Sequence, residues 1–421
     1  MTTDIETRGP AVTLADVEEI SARQNEPAWL RERRLEAWRL YESMDLPDPG
    51  DEQWRRTDVR ALDLDGLRAA PAITNIEALP AAARAAGVRF MPLRAAVTEH
   101  EDLVRRRLYA EVAPGEWKYL ALNAALWQGG SFLLVPRGVE VDVPVQLLTS
   151  GNGALLIRTL VIAEANSAVR LIDESESPDG PRTFVSAAVE IFVGDGAKVE
   201  YYDLNRWGDG VYNFKTVRAT LGRDAQFLGM AAGIGSKLTK MRFDTLLPEP
   251  GARSDLLGVT FANGDQHFDY NTLQDHSGKH TQSDLQFKAA LDGRSSLVWY
   301  GVTHIRHSAG GSAANQTSRN LLLSEHAKAA PIPILEIEAY DVERCSHGAT
   351  AGPVDENELF YLQSRAIPHE VAERMLVEGY LADVIGRVPD PRVRARIMRA
   401  VLEKMGGGTD SLSSDDVLGA A

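Results

Sequence analysis

Cys345 and His347 stand at i and i+2 in the run Cys345-Ser346-His347-Gly348-Ala349-Thr350, and Cys345 is the only cysteine in 421 residues. On a β-strand that spacing places both side chains on one face. A thiolate and an imidazole on one face suit a soft or borderline metal. One Cys and one His cannot complete a structural zinc site or an iron–sulfur cluster, which take about four protein ligands. If the pair binds metal, its remaining ligands come from elsewhere, another chain included. The structural alternative is that a lone cysteine packs as a small buried hydrophobe.

Other chemistry-bearing residues carry weaker signals. Asp275-His276-Ser277-Gly278-Lys279-His280 offers histidines at i and i+4, a zinc spacing on a helix, but Gly278 and the polar context read as a loop. A solvated or hydrogen-bonding role is expected there. His304 and His307 fall on opposite faces if Thr303–His307 is a strand, which favours core or interface hydrogen bonding over ligation. The segment Gly229-Met-Ala-Ala-Gly-Ile-Gly-Ser-Lys237 resembles a phosphate loop but lacks the Gly-Lys-Ser/Thr ending, so a turn region is expected and no ATP hydrolysis. Trp117, Trp127, Tyr201, Trp299 and their aromatic neighbours have the chemistry to stack on a flavin or sugar; in strands such residues more often fill the core.

The elements that must position these groups divide into three stretches. The N-terminal region, 1–120, reads as helical or mixed. Thr13 with Asp16 resembles a capping box before Leu14–Ile20, and Pro27 opens a helix carrying Trp29, Leu30, Leu35, Trp38 and Tyr41. Arg31–Arg34 on that helix is a local basic patch, best explained as helix surface. From 121 to 350 strand-like segments alternate with turns, and the small residues Ala168, Ala197, Ala225 and Ala252 recur at spacings of 29, 28 and 27, with weaker copies near Ser295 and Ala327. A near-constant period in strand-rich sequence suggests a β-solenoid over the alternative, a Greek-key sandwich. Residues 351–405 return to helical periodicity. A short helix follows Asp355, one from Pro368 places Val371, Met375, Leu376, Tyr380, Leu381 and Ile385 on a face and stops at Gly386, and another opens at Pro391. The Ser/Asp/Gly-rich stretch 406–421 is expected to be a disordered tail.

Composition narrows the function classes. The hydrophobic fraction is 44% and the formal charge −15, from 60 acidic and 45 basic residues, which argues against a broad nucleic-acid face. A single cysteine excludes an internal disulfide and fits a reducing cytosol. No apolar run approaches a bilayer span, and the polar start Met1–Thr7 lacks a signal-peptide core. A soluble cytoplasmic protein is expected.

The run Glu336-Ile-Glu-Ala-Tyr-Asp-Val-Glu-Arg-Cys-Ser-His-Gly-Ala-Thr350, followed by Asp355-Glu-Asn-Glu-Leu-Phe-Tyr-Leu-Gln-Ser-Arg-Ala-Ile367, resembles the C-terminal signature of the SufB/SufD family of SUF-system iron–sulfur cluster assembly proteins. Gly129-Gly-Ser-Phe-Leu-Leu-Val-Pro-Arg-Gly-Val-Glu-Val-Asp-Val-Pro144 and Ser318-Arg-Asn-Leu-Leu-Leu-Ser324 are further matches. The single cysteine and the Cys-Ser-His-Gly run are similar to the SufD branch. The resemblance implies a right-handed parallel β-helix between helical ends. It also implies a non-catalytic scaffold that pairs with SufB through the β-helix and docks the SufC ATPase on its C-terminal helices, about Pro368 to Met405. A nascent iron–sulfur cluster would form transiently at the SufB interface, with His347 as this chain's ligand and Cys345 assisting. Flavin is linked to such complexes, but no fingerprint places one here. An isolated chain is a candidate homodimer, because family members share the paired surface.

The competing reading is a metal-dependent β-solenoid or cupin-like enzyme using His276, His280, His304 or His307 with Cys345. It predicts stoichiometric metal in the isolated chain. The sequence lacks the compact His-x-His…Glu…His set such an enzyme needs.

Overall fold

The computed structural model describes residues 12–59, 62 and 68–406. Met1–Thr7 and nearly all of the expected tail lie outside those residues.

The period in the sequence is the pitch of a parallel β-solenoid of about eight turns. Each turn contributes one strand to each of two sheets. The first sheet stacks Ser131–Val135, Ala154–Ala163, Thr183–Val193, Val211–Leu221, Leu238–Leu247, His267–His276, Ser296–Ile305 and Lys328–Ile337. The second stacks Val145–Ser150, Ala168–Glu176, Lys198–Arg206, Gln226–Gly233, Arg253–Ala262, Gln282–Leu291, Ala313–Leu322 and Arg344–Pro353. Within both stacks the pairing is parallel; the antiparallel strands Arg89–Pro92 and Ile73–Ile76 close the N-terminal ends. Alternate residues of both sheets point inward and form one apolar core, from Leu133 through Val189, Phe227, Phe243 and Phe287 to Trp299.

Small residues recur because the chain turns sharply before each second-sheet strand. Ser167, Ala197, Ala225, Ala252, Thr281 and Ser312 occupy this corner on successive turns, each at most 1% exposed. Their carbonyls accept the N–H of the next turn's strand, as in Lys198 to Ser167 and Gln226 to Ala197. A larger side chain at such a corner would push two coils apart. Ala168 is therefore one residue out of step with the column, whose member on that turn is Ser167. Ser295 and Ala327 belong to the opposite corner, before the first-sheet strands.

The N-terminal helices cap the starting end. In the helix Leu14–Arg23 the Asp16 carboxylate accepts from both Thr13 N (2.6 Å) and Thr13 Oγ1 (2.8 Å). In Ala28–Ser43, Arg34 is fully buried rather than part of a surface patch. Its guanidinium pairs with Glu26 (2.7 Å), donates to the carbonyls of Ala125 and Trp127, and lies over the Trp127 ring. That set of partners offsets the cost of burying its charge.

At the other end the helices Glu356–Gln363, His369–Ile385 and Pro391–Lys404 follow the last strand. The second and third pack on the outer face of the second sheet, where Val377, Leu381, Val384, Val393 and Ile397 meet Tyr202, Met230 and Leu257. The buried face of His369–Ile385 runs through Ala372, Val377, Leu381 and Val384; Met375, expected on it, is exposed. At about 100° per residue Met375 lies about 160° around the helix from Val377, so a run of apolar types alone did not set the rotation of the helix. No helix among the described residues is long and apolar enough to cross a membrane.

Among the described residues the last turn has no coil stacked on it, so one edge of each sheet is unpaired there. The two edges differ. In Lys328–Ile337 the even-numbered N–H groups face the preceding coil, as Lys328 N to Ser295 O and Glu338 N to Ile305 O show. The odd positions face outward, and two of them are Pro331 and Pro333, which have no N–H. In Arg344–Pro353 the even positions face the preceding coil: Ala313 N donates to Thr281 O, so the even residues of Ala313–Leu322 face forward, the register pairs Ala313 with Arg344, and the Thr350 carbonyl accepts from Asn320 Nδ2. Cys345, His347, Ala349 and Ala351 thus turn their N–H groups to the open side, and Pro353, which has none, ends the strand.

Candidate functional site

Cys345 and His347 lie on this open strand. Cys345 pairs in register with Ala314 and His347 with Gln316. Ala314 and Gln316 are buried and inward-facing, at 1% and 0% exposure, so the pleat turns Cys345 and His347 inward as well. The sequence expectation that both share a face is met. With no further coil among the described residues, His347 remains exposed while Cys345 is half-buried against Ile305, Ala309, Ala314 and Ala339. Burial pushes the Cys345 thiol up from its ordinary pKa. It is therefore held as a thiol at neutral pH, and a metal must displace its proton to bind. Ser346 points the other way and donates to Asn315 Oδ1 at 2.8 Å, continuing an outer ladder to Asp284.

The other histidines do not converge on this pair. His276 is the last residue of its strand, not a loop residue, and is fully buried. Its Nδ1 and Nε2 lie 2.8 Å from the hydroxyls of Thr281 and Ser283, and burial lowers its pKa to about 4. The hydrogen-bonding role expected for it stands; the solvated one does not. His280 is exposed at a turn with φ +55°. His304, the last residue but one of its strand, lies 3.1 Å from Glu338 Oε1, and His307 Nδ1 lies 2.8 Å from the Glu338 carbonyl. The strand stops at Ile305, and the turn after it swings His307 back to the same glutamate instead of the opposite face. Both Asp275 oxygens beside His304 are taken by the Arg306 guanidinium at 2.8 and 2.9 Å. Among the described residues no three of His, Cys, Asp and Glu are grouped to hold a metal.

The remaining suggestive segments are architectural. Gly229–Gly233 is strand, with only the residues after it turning, and Gly229 lets the Phe243 and Leu256 side chains meet over it, 2.7 and 2.9 Å from where a Cβ would stand. Trp127, Tyr201 and Trp299 are buried in the core. What the sequence did not reveal is Gln316, a fully buried amide one coil beneath His347. Only the pairing register, 31 residues apart, shows the relation.

The site thus belongs to a β-solenoid with helical ends that presents a Cys-x-His pair on its terminal coil, and comparison with known proteins gives its family. Residues 146–380 match the family profile described as SUF system FeS cluster assembly, SufBD core domain, and residues 74–147 match the SufBD protein N-terminal region. The chain is 30% identical over 420 residues to the iron-sulfur cluster assembly protein SufD of Bacillus subtilis (strain 168), covering 91% of this chain and 96% of that one. It is 27% identical to an iron-sulfur cluster assembly SufBD family protein of Staphylococcus aureus (strain MRSA252) and to one of Staphylococcus epidermidis, covering 89% of each chain. The chain belongs to the SufBD family of iron–sulfur cluster assembly proteins and is a SufD homologue.

Proposed function

We propose that this protein is a non-catalytic cytoplasmic scaffold that pairs with SufB along its open terminal coil and carries SufC on its C-terminal helices. In this reading His347, assisted by Cys345, supplies this chain's ligands to a cluster being built as cargo. The observation that carries it is the placement of both residues among the positions of the terminal strand whose backbone donors face the open side, unbroken from Cys345 to Ala351. A scaffold must release what it assembles. One imidazole and at most one protonated thiol, completed by a partner's ligands, hold iron weakly enough to let it go.

The helices His369–Ile385 and Pro391–Lys404 are anchored to the second sheet by apolar packing and by Lys288–Asp383 (2.8 Å) and Arg387–Asp284 (2.7 Å). A pull on them by ATP-driven closure of SufC is therefore transmitted to the same sheet that ends in Cys345 and His347. If ATP and its hydrolysis leave alkylation of Cys345 unchanged in the assembled complex, that coupling is wrong.

The direct test is the iron and sulfide content of the complex co-expressed anaerobically with SufB and SufC, wild type against His347→Ala. Intact assembly with lost cluster supports His347 as a ligand. Intact assembly with an unchanged cluster overturns that role and leaves an architectural, SufC-docking subunit.

A further inference from the structure

The inward column that ends in His347 changes character over its last steps. Tyr201, Gly229, Leu256, Leu285, Gln316 and His347 follow one another on successive coils. The first four are buried core positions, and Gln316, also fully buried, breaks the apolar run. Its Nε2 donates to the Ile334 carbonyl on the facing strand at 2.9 Å, while its Oε1 has no partner. The same half of the core holds further unpartnered oxygens on Thr303 and Gln274, which are register partners on the opposite sheet.

An unpaired amide oxygen inside a core costs about 1–3 kcal/mol, and folded proteins retain few of them. Swapping the two ends of the Gln316 amide would not remove the cost, because Nε2 would then lose Ile334. The oxygen is thus held as an acceptor. Its register neighbour on the open side is His347, whose ring makes no hydrogen bond among the described residues. Adjacent strands are about 4.8 Å apart, a separation that an imidazole spans by rotation about its side-chain bonds.

We propose that Gln316 is a positioning residue: its Oε1 accepts the N–H of one His347 ring nitrogen, which fixes the tautomer and leaves the other nitrogen unprotonated for iron. A neutral imidazole carries one donor and one acceptor nitrogen, and the partner of the first decides which nitrogen is free to bind metal. The proposal rests on the reading of His347 as a ligand. It adds that the ligand is prepared from below, by the core of its own solenoid.

The test is the tautomer of His347 in the folded, metal-free full chain. Histidine is labelled with 15N, the pH is set above imidazole titration, and long-range proton–nitrogen correlations are assigned against His347→Ala. The expected wild-type result is a single fixed tautomer. Gln316→Met should give a mixed one and, in the co-expressed complex with SufB and SufC, lower iron retention by about 10-fold or more. Gln316→Glu, which keeps an acceptor oxygen at the same reach, should restore the fixed ring. Thr303→Val, which disturbs the same core without touching the column, should leave it unchanged. A mixed tautomer in wild type overturns the proposal without any variant, as does an unchanged tautomer in folded Gln316→Met. Cluster loss in His347→Ala is read separately. A fixed ring with an unaffected cluster in His347→Ala would sink the ligand reading alone, and a mixed ring with cluster loss would sink only the role of Gln316.

Discussion

Arg158 and Glu190 form a fully buried ion pair, 3.1 Å apart, on neighbouring strands of the first sheet. Glu190 also accepts the backbone N–H groups of Tyr109, Glu111 and Val112, and Arg158 donates to Asn123 and to the Val112 carbonyl. This cluster fastens the N-terminal region to the solenoid, and burial raises the Glu190 pKa against the opposing pull of Arg158.

Removing one member strands the other. Arg158→Met should destabilise the protein by about 3–5 kcal/mol, read as a lower urea midpoint. The loss should shrink on acidification. A carboxyl whose folded pKa is raised contributes stability below its unfolded pKa and loses it as the pH rises through the folded value. A loss that stays constant from neutral pH to mild acid would contradict the assignment.

His276 sets a second pH dependence with its own sign. Its folded pKa of about 4 lies below the ordinary value near 6.5. Between the two the unfolded chain binds a proton that the folded chain refuses. The contribution is therefore complete above about pH 6.5 and lost as the pH falls toward 4, a total of roughly 3 kcal/mol. His276→Gln should flatten the stability curve over that window relative to wild type, measured by denaturant titration at several pH values.

Gly258 faces the core, and a Cβ there would stand 2.2 Å from Phe287 Cδ1. Gly258→Ala should cost about 1–3 kcal/mol through overpacking. Gly352 has nothing within 4 Å of the same position. Gly352→Ala should be close to neutral, and equal midpoints for the two variants would show the Gly258 site to be roomier than described.

Leu381 is fully buried where His369–Ile385 meets the second sheet. Leu381→Ala should cost about 2–5 kcal/mol. Hydrogen exchange should rise first in the C-terminal helices, with the strands beneath them protected until global unfolding. Uniform loss of protection would mean that helices and solenoid unfold as one unit.

The solenoid was legible because sharp corners demand small residues, and alanines at nearly even spacing betray them. The signal faded after Ala252 for two physical reasons. The corner residues become Thr281 and Ser312, and the coils lengthen, so that Gln282, Ala313 and Arg344 are register partners. Ala168 was mistaken for the corner because Ser167 beside it is also small. Cys345 and His347 were correctly placed on one face, since strand pleating is local. Arg34 was not: its buried state depends on Glu26, Ala125 and Trp127, which only the folded chain brings together. Gln316 lay hidden for the same reason, being an ordinary polar residue until the register sets it beneath His347.

Pro331 and Pro333 give the terminal coil a valence. A solenoid whose last turn offered two complete ladders would invite copies to stack end on end, as fibrils do. Here one ladder is interrupted mid-strand by missing donors and the other runs unbroken from Cys345 to Ala351, so strand addition is favoured along a single line. The protein can acquire a neighbour without becoming the first link of a polymer.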